Sequence, residues 1–108
     1  MKSKIFKLVG LARRAGKVAV GISMVEKMVR RKKVVLLLFA EDATLNTIDK
    51  VLRLQPECPH LFFGSKHDWG AAMGHEAAAV LGILAPNFAD GILANYAAEK
   101  GKQNGKSN

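Results

Sequence analysis

The stretch that decides the fold is VVLLLFA at residues 34–40, a run of seven apolar residues with no charge among them. It is far shorter than the about 20 residues of a membrane-spanning helix, and its branched and aromatic side chains favour a β-strand. Because no polar residue alternates with the apolar ones, both faces of this strand are predicted to be covered. The run therefore indicates an interior strand of a parallel or mixed sheet, with helices on both sides.

Shorter apolar segments predict three further strands at 18–20, 60–63 and 79–84, and residues at helical spacing predict five helices around them. The predicted starts of these helices are Ser3, Ile22 (for a helix over 22–32), Asn46, Ser65 and Pro86. This order predicts an α/β fold, a three-layer α/β/α sandwich around a four-stranded mixed sheet. One domain is expected over residues 1–98, Trp69 is predicted to be half-buried, and the polar segment 99–108 predicts a disordered tail.

The net charge of +8 is distributed unevenly along the 108 residues. Residues 1–33 hold eleven Lys/Arg side chains against one acid, a net charge of +10, and the remaining chain has a net charge of −2. A basic region beside a near-neutral body is typical of proteins that bind a polyanion, and nucleic acid is the partner that this pattern favours. The bland alternative is a solubility charge that happens to cluster.

The sequence contains no convincing catalytic, metal-binding or cofactor-binding pattern. His60, His67 and His75 have no cysteine partner at metal-ligand spacing, and no glycine-rich phosphate loop is present. Cys58 is the single cysteine, which excludes an internal disulfide, fits a reducing cytoplasm and favours a structural role over a catalytic one. Glu41 and Asp42 follow the 34–40 strand and are expected to form a turn or cap. A non-enzymatic protein without metal or cofactor is predicted.

The most suggestive local arrangement surrounds the short strand 18–20. Lys17 precedes this strand, and Gly21 follows it at the start of the second helix. Backbone N–H groups at a helix start, with Lys27 one turn further on, are suited to phosphate. Arg30 and Lys33 extend the positive charge along and beyond this helix. A solvated helix face with a basic exit turn is the alternative interpretation.

At these residues the chain resembles a known family. GISMVEK at 21–27 and VVLLLFAED at 34–42 are similar to segments of the ribosomal L7Ae/L30e superfamily of kink-turn RNA-binding proteins. SKHDWGAAMG at 65–74 and AVLGI at 79–83 continue the pattern in register. The segment LVGLARRAGKVAVG at 8–21 resembles the small bacterial YlxQ-type branch in particular. The resemblance extends over about residues 6–93, most of the chain.

The resemblance implies an α/β/α sandwich that binds RNA without catalysis. Kink-turn RNAs place tandem sheared G·A pairs beside a sharp bend, and the family reads the guanine edges with the N-terminal end of helix 2. The loop before the last strand covers the extruded nucleotide. Carried over to this chain, the guanine readers are Ser23, Met24 and Lys27, and Lys66 contacts the RNA backbone. The residues of the covering loop are His75, Glu76, Ala77, Ala78 and Ala79.

The chain departs from the best-known members at one pair of positions, because they carry Asn-Glu where it has Ser23-Met24. We therefore expect RNA binding with weaker kink-turn specificity. The expected partners are ribosomal or other structured RNA, and the ribosome, in the cytoplasm and away from membranes. Two other classes stay open, an RNA-recognition module that works with a separate RNA-modifying enzyme and a basic module that binds an acidic protein. Salt-sensitive binding to structured RNA, but not to an acidic protein, would separate RNA binding from the second of these.

Overall fold

The computed structural model describes residues 3–106, which form five helices and four strands. In chain order these are α1 Lys4–Arg14, β1 Val18–Val20, α2 Ile22–Arg30, β2 Leu36–Phe39, α3 Leu45–Leu54, β3 His60–Phe62, α4 Lys66–Met73, β4 Val80–Ile83 and α5 Pro86–Lys106. No helix in the part that the structure describes is long and apolar enough to cross a membrane. Residues 1 and 2 of the predicted domain, and 107 and 108 of the predicted tail, lie outside the described residues.

The four strands form one mixed sheet in the order β1-β4-β2-β3. β2 pairs in parallel with β3 and antiparallel with β4, and β4 also pairs antiparallel with β1. β2 therefore lies inside the sheet, and all four of its residues are buried. The interior, doubly covered strand predicted from the apolar run is confirmed.

The alternating side chains of β2 divide the core into two clusters, one on each face of the sheet. Leu36 and Leu38 pack with side chains of α1, α4 and α5, whereas Leu37 and Phe39 pack with those of α2 and α3. The larger members of the first cluster outside the sheet are Ile5, Val9, Trp69, Met73 and Ile92. The three-layer α/β/α sandwich is thus confirmed.

The helix starts were predicted from cap residues, and one of them is wrong. The Ser3 and Ser65 hydroxyls accept the expected backbone N–H bonds of α1 and α4. α3, however, begins after Thr44 and not at Asn46, because Thr44 has the extended backbone of a cap and its hydroxyl accepts the Thr47 N–H at 3.2 Å. Asn46 is instead the second residue of the helix.

The prediction that Trp69 is half-buried is wrong, since its side chain is fully buried. The Phe6 ring of α1 stacks on it with ring centroids 4.1 Å apart. The indole N–H donates to the Phe63 carbonyl, so that its one polar group is satisfied inside the core.

One predicted helix end also differs from the structure. α2 ends at Arg30, two residues early, because Lys32 adopts a positive φ of 58°. α5 ends at Lys106, within the segment 99–108 for which a disordered tail is predicted. Once a helix has been nucleated at Pro86, each added residue gains a hydrogen bond, which favours its continuation even through a segment that contains Gly101 and Gly105.

Candidate nucleic-acid interface

Most of the predicted site residues lie at one end of the sheet, which we call the upper edge. β1, β2 and β3 end there and β4 begins there, since Phe39 is the register partner of both Phe62 and Val80. The opposite end, where β1, β2 and β3 begin and β4 ends, is the lower edge. The elements that meet at the upper edge are the start of α2, the turn after β2, the start of α4 and the loop 75–79.

The start of α2 depends on Gly21. Its φ of 88° and ψ of 161° lie in a region that is open almost only to glycine, and this conformation directs the chain from β1 into the helix. No side chain caps α2, in contrast to the capped starts of α1, α3 and α4. The first N–H groups of α2 therefore have neither an intrahelical acceptor nor a side-chain acceptor.

The loop 75–79 lies directly beside this helix start. The Gly21 N–H donates to the Val80 carbonyl at 3.0 Å, which ties the beginning of α2 to the end of the loop. On its other side, the Ala78 N–H donates to the Lys66 carbonyl at 3.0 Å. A chain of backbone hydrogen bonds thus joins α2, the loop and α4.

The loop can lie against α4 because residue 70 is a glycine. A Cβ atom at Gly70 would come within 2.6 Å of the Ala77 Cα and 2.8 Å of the Glu76 carbonyl carbon. The segment that α4 approaches so closely is its own following loop. Gly74 ends α4 in the left-handed conformation that turns the chain into that loop.

The predicted guanine-reading residues are accessible at the upper edge. Ser23, Met24 and Lys27 are exposed on α2, and 42% of the Met24 side chain is accessible to solvent. In the loop, His75, Glu76 and Ala77 are exposed, whereas Ala78 is buried in the core. Ala78 therefore contributes an anchoring backbone contact, and its side chain does not face an incoming ligand.

Three predicted residues lie away from this edge. Lys17 precedes β1 and Lys33 precedes β2, so both lie at the lower edge, and Arg30 ends α2 on the way to it. α2 is nine residues long, and its ends are therefore about 12 Å apart. The structure thus separates the predicted residues into two groups.

One upper-edge residue has a role that the sequence indicated only as a general turn or cap. The Asp42 carboxylate accepts the Lys66 N–H at 2.9 Å, although the two residues are 24 positions apart. The interaction satisfies the first N–H of α4 and fixes that helix start against the turn after β2. Neighbouring parallel strands end side by side, so a polar residue just after one strand can reach the element that follows the next.

The titratable and nucleophilic groups do not form a reaction centre in the part of the chain that the structure describes. The described residues contain no group of three or more His, Cys, Asp or Glu side chains arranged to hold a metal ion. Cys58 is buried, and burial raises the pKa of its thiol, which keeps it in the unreactive protonated form.

Comparison with known proteins shows the family to which this chain belongs. The model of the ribosomal protein L7Ae/L30e/S12e/Gadd45 family matches residues 3–92, and this chain belongs to that family. Among its relatives is the RNA-binding protein YlxQ of Bacillus subtilis (strain 168), which is 34% identical over 93 residues. This match covers 82% of the present chain and 90% of that protein. The family resemblance of the sequence is confirmed.

Two solved structures are similar over most of their length. A protein of unknown function from Bacillus halodurans has a TM-score of 0.79 and 28% identity, with 86% of this chain and 96% of that chain covered. The Giardia lamblia 15.5kD RNA binding protein has a TM-score of 0.63 and 25% identity, with 87% and 85% covered.

Proposed function

We propose that this protein binds structured RNA without catalysing a reaction on it, and that the upper edge reads the RNA. Membership of the family supports the proposal, as do two relatives whose names describe them as RNA-binding proteins. The observation that carries it is the uncapped start of α2 beside the loop 75–79, joined by the hydrogen bond from Gly21 to Val80. Ribosomal or other structured RNA, and the ribosome, are the partners that we propose, in the cytoplasm.

The start of α2 supplies the general part of the contact. Its free N–H groups point out of the helix and carry the positive end of the helix dipole. Phosphate oxygens and the O6 and N7 atoms of guanine are acceptors that match these donors. Lys27 lies one turn further along on the same face as Ser23, where its ammonium group can reach a phosphate. Lys66, at the start of α4, would contact the backbone on the other side of the loop.

The loop 75–79 would cover a nucleotide that has left the stack. His75, Glu76 and Ala77 are its exposed residues, and Ala78 anchors it to α4. Because Gly70 lets the loop backbone touch the helix, the loop has a defined shape before RNA arrives. This preorganisation lowers the entropy cost of covering the nucleotide.

Selectivity for kink-turns is the weaker part of the proposed activity. Ser23 offers one hydroxyl and Met24 only a thioether, where an Asn-Glu pair would offer an amide and a carboxylate. A guanine N–H donor that finds no acceptor in the complex costs about 1–3 kcal/mol unless water replaces the contact. We therefore propose that kink-turn RNA is preferred over plain duplex by less than in members with Asn-Glu.

Titration of the full chain against a kink-turn hairpin and a plain RNA duplex, at fixed salt, tests this proposal. Lys27→Ala should weaken binding of the hairpin and flatten its salt slope by about 0.7–0.9. Lys50→Ala removes an exposed lysine of α3 that the proposal does not use, and it should bind as the wild type does. The proposal fails if the wild type binds neither RNA at low salt, or if the two variants lose the same affinity.

A further inference from the structure

Six exposed basic side chains are concentrated at the lower edge. They are Arg13, Arg14, Lys17, Arg31, Lys32 and Lys33, and we call them the basic cluster. They come from both helical layers, because α1 and α2 both end at this edge. The Leu84 N–H donates to the Lys17 carbonyl and the Val35 N–H to the Ile83 carbonyl, so the two chain segments flank the end of β4. Two strand spacings, about 10 Å, separate them.

The charge of the lower edge contrasts with that of the upper edge. Acids near the lower edge are Glu57, before β3, and Asp90, in the second turn of α5. The upper edge is the more acidic one, with four carboxylates at Glu41, Asp42, Asp68 and Glu76 against three ammonium groups at Lys4, Lys27 and Lys66. No ion pair neutralises the basic cluster among the residues that the structure describes. The strongest positive surface is therefore not the predicted guanine-reading edge.

Stabilisation of the two helices does not account for this charge. Basic residues near a helix C-terminus offset a partial charge of about −0.5, so α1 and α2 together call for about one positive charge. The cluster supplies six, and those beyond the first lie close to like charges. Salt and water weaken this repulsion at exposed positions, and a bound polyanion would turn it into attraction.

The two helices end in the same way, which sharpens the argument. In α1, Gly16 donates to Arg13 at 2.9 Å and Lys17 to Ala12 at 2.8 Å. In α2, Lys32 donates to Val29 and Lys33 to Met28, each at 2.9 Å. Both are Schellman endings, and each places a lysine at the first position beyond the left-handed residue.

The left-handed residue itself differs between the two endings. α1 has Gly16 there, with a φ of 73°, whereas α2 has Lys32, with a φ of 58°. Lys32 is the one residue other than glycine with a positive φ in the described part of the chain. A residue with a Cβ is disfavoured in this backbone conformation. The ending of α2 therefore has a strained residue, Lys32, which also adds a positive charge. Strain held in this way points to a function for the side chain.

We propose that the basic cluster is a second RNA-binding surface, which holds the phosphate backbone of an RNA duplex independently of the upper edge. Exposed lysines and arginines on both sides of the β4 end can contact phosphates of both strands. The upper edge would read a structured element while the lower edge holds a duplex segment. The proposal extends the RNA-binding function proposed above, but it does not require the guanine-reading role of the upper edge.

The chemistry of the lower edge favours a duplex over other polyanions. Proteins that bind single strands stack bases on exposed aromatic rings, and no Phe, Trp or Tyr side chain is exposed in the described residues. Protein interfaces are enriched in aromatic anchors, and the basic cluster has none. Double-stranded RNA is recognised largely through its shape and phosphates, which requires basic side chains alone.

Two triple variants with the same loss of charge test the proposal. The cluster variant carries Arg13→Gln, Arg14→Gln and Arg31→Gln, and the control carries Lys4→Gln, Lys7→Gln and Lys50→Gln. Each removes three of the positive charges at exposed positions. The probe is a mismatch-free RNA duplex of about 16 base pairs, the length that a double-stranded RNA-binding domain spans. Its affinity is titrated at several salt concentrations, and circular dichroism checks that both variants fold.

The two variants should behave differently. Each lost phosphate contact lowers the salt slope by about 0.7–0.9, so the cluster variant should lose about 2–3 in slope and about 100-fold or more in affinity at 0.1 M salt. The control should lose less than 0.5 in slope, by the same reasoning, because its charges lie away from the duplex. Equal losses in the two variants overturn the proposal, and so does poly-glutamate that competes as strongly as the duplex.

Lys32→Gly gives a second readout that a purely structural role would not produce. The substitution copies the ending of α1, so it should relieve the strain and raise the midpoint of urea unfolding. It should also weaken duplex binding and lower the salt slope by about 0.7–0.9. A variant that is more stable and binds the duplex as the wild type does would contradict a binding role for Lys32.

The experiments distinguish a failure of this proposal from a failure of the function proposed for the upper edge. If the upper edge does not read RNA, Lys27→Ala leaves the hairpin affinity unchanged while the cluster variant still loses duplex binding. If the lower edge is not a binding surface, the cluster variant keeps its duplex affinity whatever Lys27→Ala does to the hairpin.

Discussion

The substitution Gly70→Ala tests whether α4 holds the loop 75–79 in place. Gly70 is buried in the interior of α4, and an alanine Cβ would lie 2.6 Å from the Ala77 Cα and 2.7 Å from its backbone nitrogen. Ordinary carbon contacts lie at about 3.5–4.0 Å. Both obstructing atoms belong to the backbone, so no side-chain rotation relieves the clash. The loop must retreat from the helix by roughly an ångström, the gap between these distances.

The expected change in stability has two opposing parts. Replacing a helical glycine by alanine stabilises by about 1 kcal/mol through backbone entropy. Overpacking costs about 1–3 kcal/mol, and a displaced loop also weakens the bonds from His75 to Gly70 and from Ala78 to Lys66, worth about 1 kcal/mol each. We expect a net loss of about 1–3 kcal/mol, the sum of these contributions. The RNA selectivity attributed to the upper edge should fall with it.

Gly10→Ala is the matched control, since Gly10 lies in the interior of α1 and a Cβ there meets nothing within 4 Å. The same chemical change should stabilise this variant by about 0.5–1 kcal/mol. Urea unfolding followed by circular dichroism gives both free energies, and titration with the kink-turn hairpin gives the selectivity. If Gly70→Ala is as stable as Gly10→Ala, the loop is not held by close contact with α4, and the reasoning is refuted.

Three further predictions concern the upper edge and the core. Asp42→Ala should lower the free energy of unfolding by about 1 kcal/mol, because it removes the acceptor of the first α4 N–H. The control Glu41→Ala should change this free energy little, since the Glu41 side chain makes no such bond. Equal free energies for the two variants would contradict the capping role of Asp42. The double change Ser23→Asn and Met24→Glu should raise the ratio of kink-turn to duplex affinity by about tenfold, and a wild type that already prefers the kink-turn by about a thousandfold would show that other residues read the guanines. Cys58 should react slowly with a thiol reagent in the native state. The free energy of unfolding should fall as the pH rises above about 8.5, since the thiol loses its proton in the unfolded chain before it does so in the folded one. If Cys58→Ala shows the same pH dependence of stability as the wild type, Cys58 is not its cause.

The fold could be predicted because its signals are local. The apolar run at 34–40 requires cover on both faces whatever the rest of the chain does, and the caps at Ser3 and Ser65 act within three residues. One error arose where a distant segment decides the outcome, and another where two residues compete for the same role. Trp69 is fully buried because Phe6, from the other end of the chain, stacks on it. At α3, two cap-type residues lie close together, and only the backbone conformation of Thr44 distinguishes them.

The candidate site was predictable in its residue types but not in its arrangement. The positive charge of residues 1–33 favours a polyanion partner, yet the sequence does not tell at which end of the sheet that charge lies. The strand order β1-β4-β2-β3 brings Gly21 to Val80 and, at the opposite end, Lys17 beside the end of β4. That order is a property of the whole sheet and cannot be read from local sequence. For this reason the basic residues that the sequence suggests as one surface are divided between the two ends of the sheet.

The separation of the two edges has a physical consequence for selectivity. A surface that reads a structured element by hydrogen bonds gains little from surplus charge, because charge attracts every duplex equally. The carboxylates of the upper edge keep that surface near neutral. The basic cluster, which attracts any duplex whatever its sequence, lies about one sheet length away from it. On the two proposals taken together, a plain duplex binds through the basic cluster, whereas a kink-turn hairpin with stems too short to reach the lower edge binds through the upper edge. Binding of the duplex then has the steeper salt dependence, so rising salt removes it first. The ratio of kink-turn to duplex affinity should therefore rise with ionic strength, whereas a single merged surface would give parallel slopes.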